Sequence, residues 1–160
     1  MHEMAAKKNE KKGQSSLELL VTLSFGLIIL LPIVVLAFIQ IAASSSTLAT
    51  TEAQESASKL ANIALSVGSQ GYPARQLTLI QMPPDVYTIY VGNINNTMGH
   101  EIIFIVRTNA GNSYVTAYTP INISGNIGSI TNPGTYLVNI SAENSCPSAP
   151  AYPCVYISPS

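Results

Sequence analysis

The residues that most often carry catalysis are scarce and scattered in this sequence. The two histidines, His2 and His100, stand far apart, and Asp85 is the single aspartate. A pair of carboxylates for acid–base chemistry is therefore hard to assemble. The sequence has no glycine-rich phosphate loop, no Cys-x-x-Cys and no Gly-x-Ser-x-Gly. It predicts a protein that is not an enzyme, with no catalytic residues, no metal site and no cofactor.

The two cysteines, Cys146 and Cys154, offer a different kind of chemistry. Their Cys-x7-Cys spacing is not that of a metal site, and no histidine lies near them. We expect a disulfide that closes a short loop, which implies an oxidising compartment; the alternative is two free thiols in a cytosolic loop. Three Asn-x-Ser/Thr sequons, at Asn95, Asn122 and Asn139, also favour an exported domain and are candidate N-glycosylation sites.

Charge is distributed unevenly along the chain. Only 9% of the 160 residues are charged, against about 25% in typical soluble domains. The first 13 residues carry four of the seven basic residues, and no charged residue occurs between residues 19 and 51. The formal net charge of −1 gives no support for nucleic-acid binding. Residues 1–13 therefore have the composition of a short basic leader.

The uncharged run of residues 19–43 is apolar and long enough to cross a membrane as a helix. At about 1.5 Å per residue it would span roughly 37 Å, against about 30 Å of bilayer hydrocarbon. Lysines precede the run, so the positive-inside rule places the N-terminus in the cytoplasm and the C-terminal part outside. The rival interpretation is a secretory signal peptide, whose apolar region would be shorter. Small residues at 42–44 keep that rival open.

A helical pattern continues beyond the apolar run, without Gly or Pro, to about Val67. Glu55 and Lys59 have the spacing of a favourable i,i+4 pair. We predict one helix from about Ser15 to Val67, kinked or locally unwound at Pro32. The apolar residues predicted to share one face of its second half are Leu48, Ala53, Ala57, Leu60, Ala64 and Val67.

From residue 74 the pattern changes to that of a small β domain. β-branched and aromatic runs are separated by turn signals and predict strands at 77–81, 86–91, 101–108, 113–119, 135–141 and 154–158. The unbroken IIFIV run predicts a strand buried on both faces, and the amphipathic helix could cover one of them. The predicted fold is α+β, with a leader at 1–13, a long helix at 14–68 and an antiparallel head domain at 74–160.

The segment KKGQSSLELLVTL resembles the class III signal peptide of archaeal type IV pilins. That pattern has a basic leader ending in Gly, then Gln at the mature N-terminus, Ser third and Glu fifth, ahead of an apolar helix. The matching residues here are Lys11, Lys12, Gly13, Gln14, Ser16 and Glu18. One element departs from the pattern, because the leucine of the ninth position is Thr22. Beyond this motif the resemblance is architectural: a long helix, then a β-rich head.

The resemblance implies that a membrane prepilin peptidase cuts between Gly13 and Gln14, with Lys11, Lys12 and Ser16 as part of the recognised leader. An assembly platform and its ATPase would then move subunits from the membrane into a homo-oligomeric filament, with helices bundled inside and heads outside. The implied function is that of an extracellular filament subunit for adhesion or surface attachment. The alternative is a single-pass membrane-anchored or secreted β domain that binds a partner on its own.

The resemblance also implies a role for Glu18 in assembly, where its carboxylate would answer the N-terminal amine of a neighbouring subunit. In a low-dielectric core either charge alone is costly. The residues themselves support a second interpretation, since Ser15 and Glu18 fit a capping box at a helix N-terminus; the two roles are compatible. Gln14 can cyclise to pyroglutamate, which would remove the amine, so the charge partner of Glu18 stays open.

Overall fold

The structure, a computed structural model, describes the backbone of residues 2–95 and 97–160 and the side chains of residues 16–95 and 97–160. One helix, α1 (His2–Gln70), precedes six strands: β1 (Arg75–Met82), β2 (Val86–Gly92), β3 (Gly99–Thr108), β4 (Gly111–Gly125), β5 (Gly134–Glu143) and β6 (Cys154–Pro159). The internal contacts divide the chain into two units, residues 1–43 and residues 44–160. The predicted α+β, pilin-like fold class is confirmed.

The helix α1 begins earlier than the sequence predicts and runs on without a break. It starts at His2 rather than near Ser15. In the full chain Ser15 is therefore not an N-cap, because a helix interior leaves no free backbone N–H groups for a cap to satisfy. The sequence predicts a kink or local unwinding at Pro32, and the helix continues through that residue without unwinding. The loss of one backbone hydrogen bond at a proline does not end the helix here.

The C-terminal end of α1 is closed by a glycine. The helix ends at Gln70, slightly beyond the predicted Val67. Gly71 follows with a φ of 71°, a left-handed conformation that glycine adopts without steric cost. Its backbone N–H lies 3.2 Å from the carbonyl oxygens of both Val67 and Gly68. This is the usual manner in which a helix end has its last carbonyls satisfied.

The six strands form one sheet in the order β1-β5-β6-β4-β3-β2. All neighbouring pairs are antiparallel except β4 and β6, which run parallel where residues 123–125 meet residues 155–157. The sheet is therefore mostly antiparallel, and this one pair corrects the predicted antiparallel sheet. The physical reason is the position of β6, which lies between β5 and β4 in the sheet. Since β4 and β5 run in opposite directions, β6 is antiparallel to β5 and parallel to β4.

Strand β4 is much longer than predicted, because it serves two neighbours in succession. Its first part pairs with β3 and its last residues pair with β6. The register with β3 shifts between Tyr118, which faces Glu101, and Ile123, which faces Gly99. The extra residues of β4 form a bulge, which bends a strand and increases its local twist. The sequence signal ended at residue 119 because Pro120 follows.

The IIFIV run lies in β3, between β4 and β2, and its five side chains are all buried. Ile102, Phe104 and Val106 belong to the same core cluster as the buried face of α1. Ile103 and Ile105 alternate with them on the opposite face of the sheet and are 5% and 8% exposed. The predicted strand buried on both faces, with the helix over one face, is confirmed.

Within residues 44–160, α1 packs a face of small side chains against the sheet. Its buried apolar residues are Ala49, Ala53, Ala57, Leu60, Ala61, Ala64 and Val67. The predicted face is correct except at its first position, since Leu48 is 58% exposed and Ala49 is buried instead. Successive residues of a helix point about 100° apart, so an error of one position turns a side chain towards solvent.

The same helix covers the free edge of β1. The Ser56 hydroxyl donates to the carbonyl of Gln81, and the Lys59 ammonium donates to that of Leu79, both at 2.6 Å. Lys59 therefore binds the edge strand rather than Glu55, which was the partner expected from the i,i+4 spacing. Unpaired strand edges invite pairing with other chains, and these two bonds cover part of that edge.

The buried face of α1 predicts a clear difference between two leucines of the same helix. Leu60→Ala should lower the free energy of unfolding by about 2–5 kcal/mol, because it leaves a cavity in the core. Leu48→Ala should change it by less than about 0.5 kcal/mol, because Leu48 is exposed. Urea unfolding of the full chain in non-ionic detergent measures both values. Equal losses would mean that the helix packs through a different face.

Candidate functional site

The predicted leader motif places the candidate functional site in the first unit, where Glu18 lies on α1 with its side chain exposed. Within the part of the chain that the structure describes, no hydrogen bond or ion pair reaches the Glu18 carboxylate. The sequence has no basic residue between Lys12 and Lys59. Glu18 is therefore a lone charge at one end of a long apolar segment.

The apolar segment that follows Glu18 is exposed on every side of the helix. From Leu17 to Ile41 its large apolar side chains are between 47% and 69% exposed. By length and composition α1 can cross a membrane. A helix that is apolar all round requires apolar surroundings, and an exposed apolar surface of this extent marks an interaction with lipid or protein.

The hydroxyl groups inside this apolar segment are satisfied within the helix. Thr22 donates to the carbonyl of Glu18 at 2.7 Å, and Ser24 donates to that of Leu20 at 2.8 Å. Hydroxyls that bond back to the preceding turn need no external partner. The polar residue at Thr22, where the pilin pattern has leucine, therefore adds no unsatisfied group to the helix surface.

The residues of the predicted cleavage site belong to α1 in the full chain. The side chains of Lys11, Lys12 and Gln14 lie outside the described residues, and so do any contacts of Gly13 that would bear on cleavage. Ser16 is the first residue with a described side chain, and it is exposed. The structure therefore gives the backbone context of the leader junction, and the cleavage itself stays a prediction.

The two cysteines form the expected disulfide. Cys146 and Cys154 are bonded at 2.11 Å and close the loop between β5 and β6. The loop is fixed further by the hydroxyls of Ser124 on β4 and Ser148 in the loop, which are 2.8 Å apart. Both sulfur-bearing residues are buried. The disulfide therefore holds the start of β6 in place beside β4 and β5.

The three sequons lie in different surroundings. Asn95 is exposed in the β2–β3 loop, and the middle residue of its sequon lies outside the described residues. Asn122 is half-buried near the bend of β4. Asn139 lies in β5 between β1 and β6, and its side-chain oxygen is buried without a hydrogen-bond partner. Of the three side chains, Asn95 is the most accessible to a modifying enzyme.

His100 and Asp85, two residues that could act in acid–base chemistry, do not lie in a cluster of other reactive groups. The His100 ring nitrogen Nδ1 lies 2.9 Å from the carbonyl oxygen of Ile121, and its ring lies 6.1 Å from that of Tyr118. Asp85 is exposed in the turn between β1 and β2. In the described ranges, no group of three His, Cys, Asp or Glu residues could hold a metal ion.

Sequence reasoning missed a cavity of about 410 Å³ at the C-terminal end of α1. Its polar and aromatic wall residues are Tyr72, Asn122, Glu143 and Asn144. They come from the end of the helix, from β4 and from the end of β5. No local pattern joins residues so far apart along the chain, and only the sheet order brings them together.

Comparisons of the chain with protein-family models, with curated proteins and with solved structures found no match. The fold class is carried by the arrangement of the helix and the sheet. The features of the chain that bear on its function are the predicted leader motif, the exposed helix and the chemistry of the head.

The disulfide predicts a measurable loss of stability on its removal. Replacing Cys146→Ser together with Cys154→Ser should lower the free energy of unfolding by about 2–3 kcal/mol, because the unfolded chain regains the freedom of the closed loop. Urea unfolding with and without a thiol reductant provides the test. The reductant should destabilise the native chain and leave the double variant unchanged; a native chain indifferent to reduction would contradict a structural role for the bond.

Proposed function

We propose that the chain is a structural subunit of an extracellular type IV pilus-like filament used for adhesion or surface attachment. One observation carries the proposal: a helix apolar on all sides that follows directly after a Lys-Lys-Gly-Gln junction and a single carboxylate. The leader makes the chain a substrate of a prepilin peptidase, and the exposed helix is the element by which copies associate.

The exposed helix supports assembly because both a bilayer and a bundle of like helices can cover it. Apart from the one hydrogen bond lost at Pro32, its backbone groups are bonded within the helix, which is what a segment in lipid requires. Small residues such as Gly26 and Ala37 allow neighbouring helices to approach closely. The precursor is thus held in the membrane, and an assembly platform with its ATPase moves it into the filament.

The orientation and the head support export. The lysines of the leader keep the N-terminus in the cytoplasm, which places residues 44–160 outside. The disulfide between Cys146 and Cys154 suits an oxidising exterior. The exposed Asn95 offers a position for a glycan there. The filament would carry the heads on its surface, where adhesion takes place.

Glu18 is the one charged side chain between residues 14 and 51, the part of the helix that assembly would bury. A buried carboxylate is tolerated when another group answers it and is costly when alone. Since the mature segment before Lys59 has no basic side chain, the answering group is the amine of Gln14 from a neighbouring copy, or a hydrogen-bond donor if that glutamine is cyclised. Glu18 therefore sets the axial position of one subunit against the next.

The first prediction of this proposal concerns the mature N-terminus. Mass spectrometry of the protein from cells should find Gln14, free or as pyroglutamate, as the first residue. Gly13→Leu should leave a precursor that builds no filament, because a bulky side chain does not fit where the peptidase cuts. Gly26→Leu serves as a matched control that should be cleaved normally. A mature chain starting at Met1 or Ser44 would instead support an anchored or secreted β domain.

The second prediction separates the two roles of Glu18. Glu18→Gln keeps the hydrogen-bonding groups that a helix cap uses but removes the charge. We expect normal cleavage and a filament yield of about a tenth of the native yield or less. A partner left uncompensated in the core costs about 3–5 kcal/mol, which exceeds the roughly 1.4 kcal/mol of a tenfold change. Electron microscopy and sheared-fraction yields measure the filament yield, with Glu52→Gln, in the second half of α1, as control. Native yield would leave Glu18 only the role of a cap for the helix that begins near Gln14 after cleavage.

A further inference from the structure

We infer that the cavity at the C-terminal end of α1 binds an organic cation, specifically an alkylammonium group such as a free amine or a lysine side chain carries. The cavity measures about 410 Å³, within the range of about 300–1,000 Å³ of small-molecule sites. It lies wholly within residues 44–160, and the inference does not depend on filament assembly.

The charge of the cavity wall is negative. Glu143 is the one charged residue that lines it, and it is half-buried at the end of β5. The buried hydroxyl of Ser141 donates to its Oε1 atom at 2.7 Å. This bond orients the carboxylate through one oxygen, and no described residue takes the other. The free oxygen can accept a hydrogen bond from an ammonium group.

The end of α1 adds partial charge of the same sign. Gly68 in the last turn of the helix and Gly71 directly after it both line the cavity. A helix C-terminus carries a partial negative charge, which basic residues of the last turn commonly offset. The last turn of α1 has none. The carboxylate and the helix end therefore favour a cation that the chain itself does not supply there.

The rest of the wall suits a cation with an alkyl chain. Tyr72 lines the cavity, and an aromatic ring stabilises an ammonium group placed over its face. Pro120 and Pro153 provide apolar surface for methylene groups. Asn122 and Asn144 also line the cavity, and their side chains carry amide oxygens that can act as acceptors. The carboxylate, the amides and the aromatic ring suit the ammonium end of an alkylammonium ion, and the apolar wall suits its alkyl end.

A metal ion and the basic residues of the chain fit the cavity less well. A divalent cation takes several oxygen ligands with charge, whereas this wall has one carboxylate. Two of the chain's own cations are engaged elsewhere: Lys59 binds the carbonyl of Leu79, and Arg107 lies 4.7 Å over the Tyr87 ring. Arg75 of β1 lies opposite Ser141 of β5 in the backbone register of the sheet. No ion pair links Arg75 to Glu143 in the described chain.

The experiment is an NMR titration of the ¹⁵N-labelled full chain in non-ionic detergent. The probes are n-butylammonium and N-acetyl-lysine methylamide, with the neutral N-butylacetamide as control ligand. We expect saturable shifts at Tyr72, Asn144 and Cys154 with the amines at concentrations on the order of 1–10 mM, and none with the neutral amide. Shifts with both amines support a lysine side chain as the source, and shifts with n-butylammonium alone support a free amine.

Two variants make the test specific. Glu143→Gln keeps the acceptor for Ser141 but removes the charge, and it should weaken amine binding about fivefold, the size expected of one partly exposed ion pair. Glu101→Gln, at an exposed position on β3, should bind as the native chain does. The inference is overturned if no saturable shift occurs, if the neutral amide binds equally well, or if the two variants behave alike while their spectra remain those of folded protein.

Discussion

The head depends on the burial of one face of α1 against a single sheet. The sheet carries large side chains such as Ile80, Phe104 and Ile140 on the face that meets the helix, all of them fully buried. The helix answers with small ones, mainly alanines, so that its backbone can lie close to the strands. The volume of the core is thus supplied by the sheet, and the helix supplies cover. Without that cover, the inner face of every strand would be exposed to water, at a cost of about 25 cal/mol per Å² of apolar surface.

Close packing also lets the helix take part in the hydrogen bonding of the sheet. Ser56 and Lys59 donate hydrogen bonds to carbonyls on the edge strand β1. The short Ser56 side chain could not reach its carbonyl from a more distant helix. Earlier in the same helix, residues 17–41 show the opposite surface, with large apolar side chains exposed all round. One helix thus carries two surfaces of different kinds. In the proposed filament, the face buried against the sheet serves the subunit's own head, and the apolar surface of residues 17–41 contacts neighbouring subunits.

Most elements of the fold could be predicted because their signals are local. β-branched runs with turn residues between them mark all six strands, and the IIFIV run marks the strand that is buried on both faces. Other features depend on distant residues and could not be predicted. The parallel contact of β4 with β6 depends on β6 lying between β4 and β5 and running antiparallel to β5. The extension of β4 past Pro120 follows from its second partner. The Lys59 ammonium donates to the carbonyl of Leu79, twenty positions away along the chain, and not to Glu55, the partner that the i,i+4 spacing predicts.

The sequence by itself determined the two-part order of helix and sheet, the apolar membrane-length segment, the lone carboxylate at Glu18 and the disulfide. These follow from composition, periodicity and spacing along the chain, which need no knowledge of the fold. The tertiary structure alone decided the strand order, the choice of Ala49 over Leu48 for the core, and the cavity beside Glu143. Each of these depends on which distant backbone segments become neighbours, and that is set by the packing of the whole sheet around the helix rather than by any local pattern.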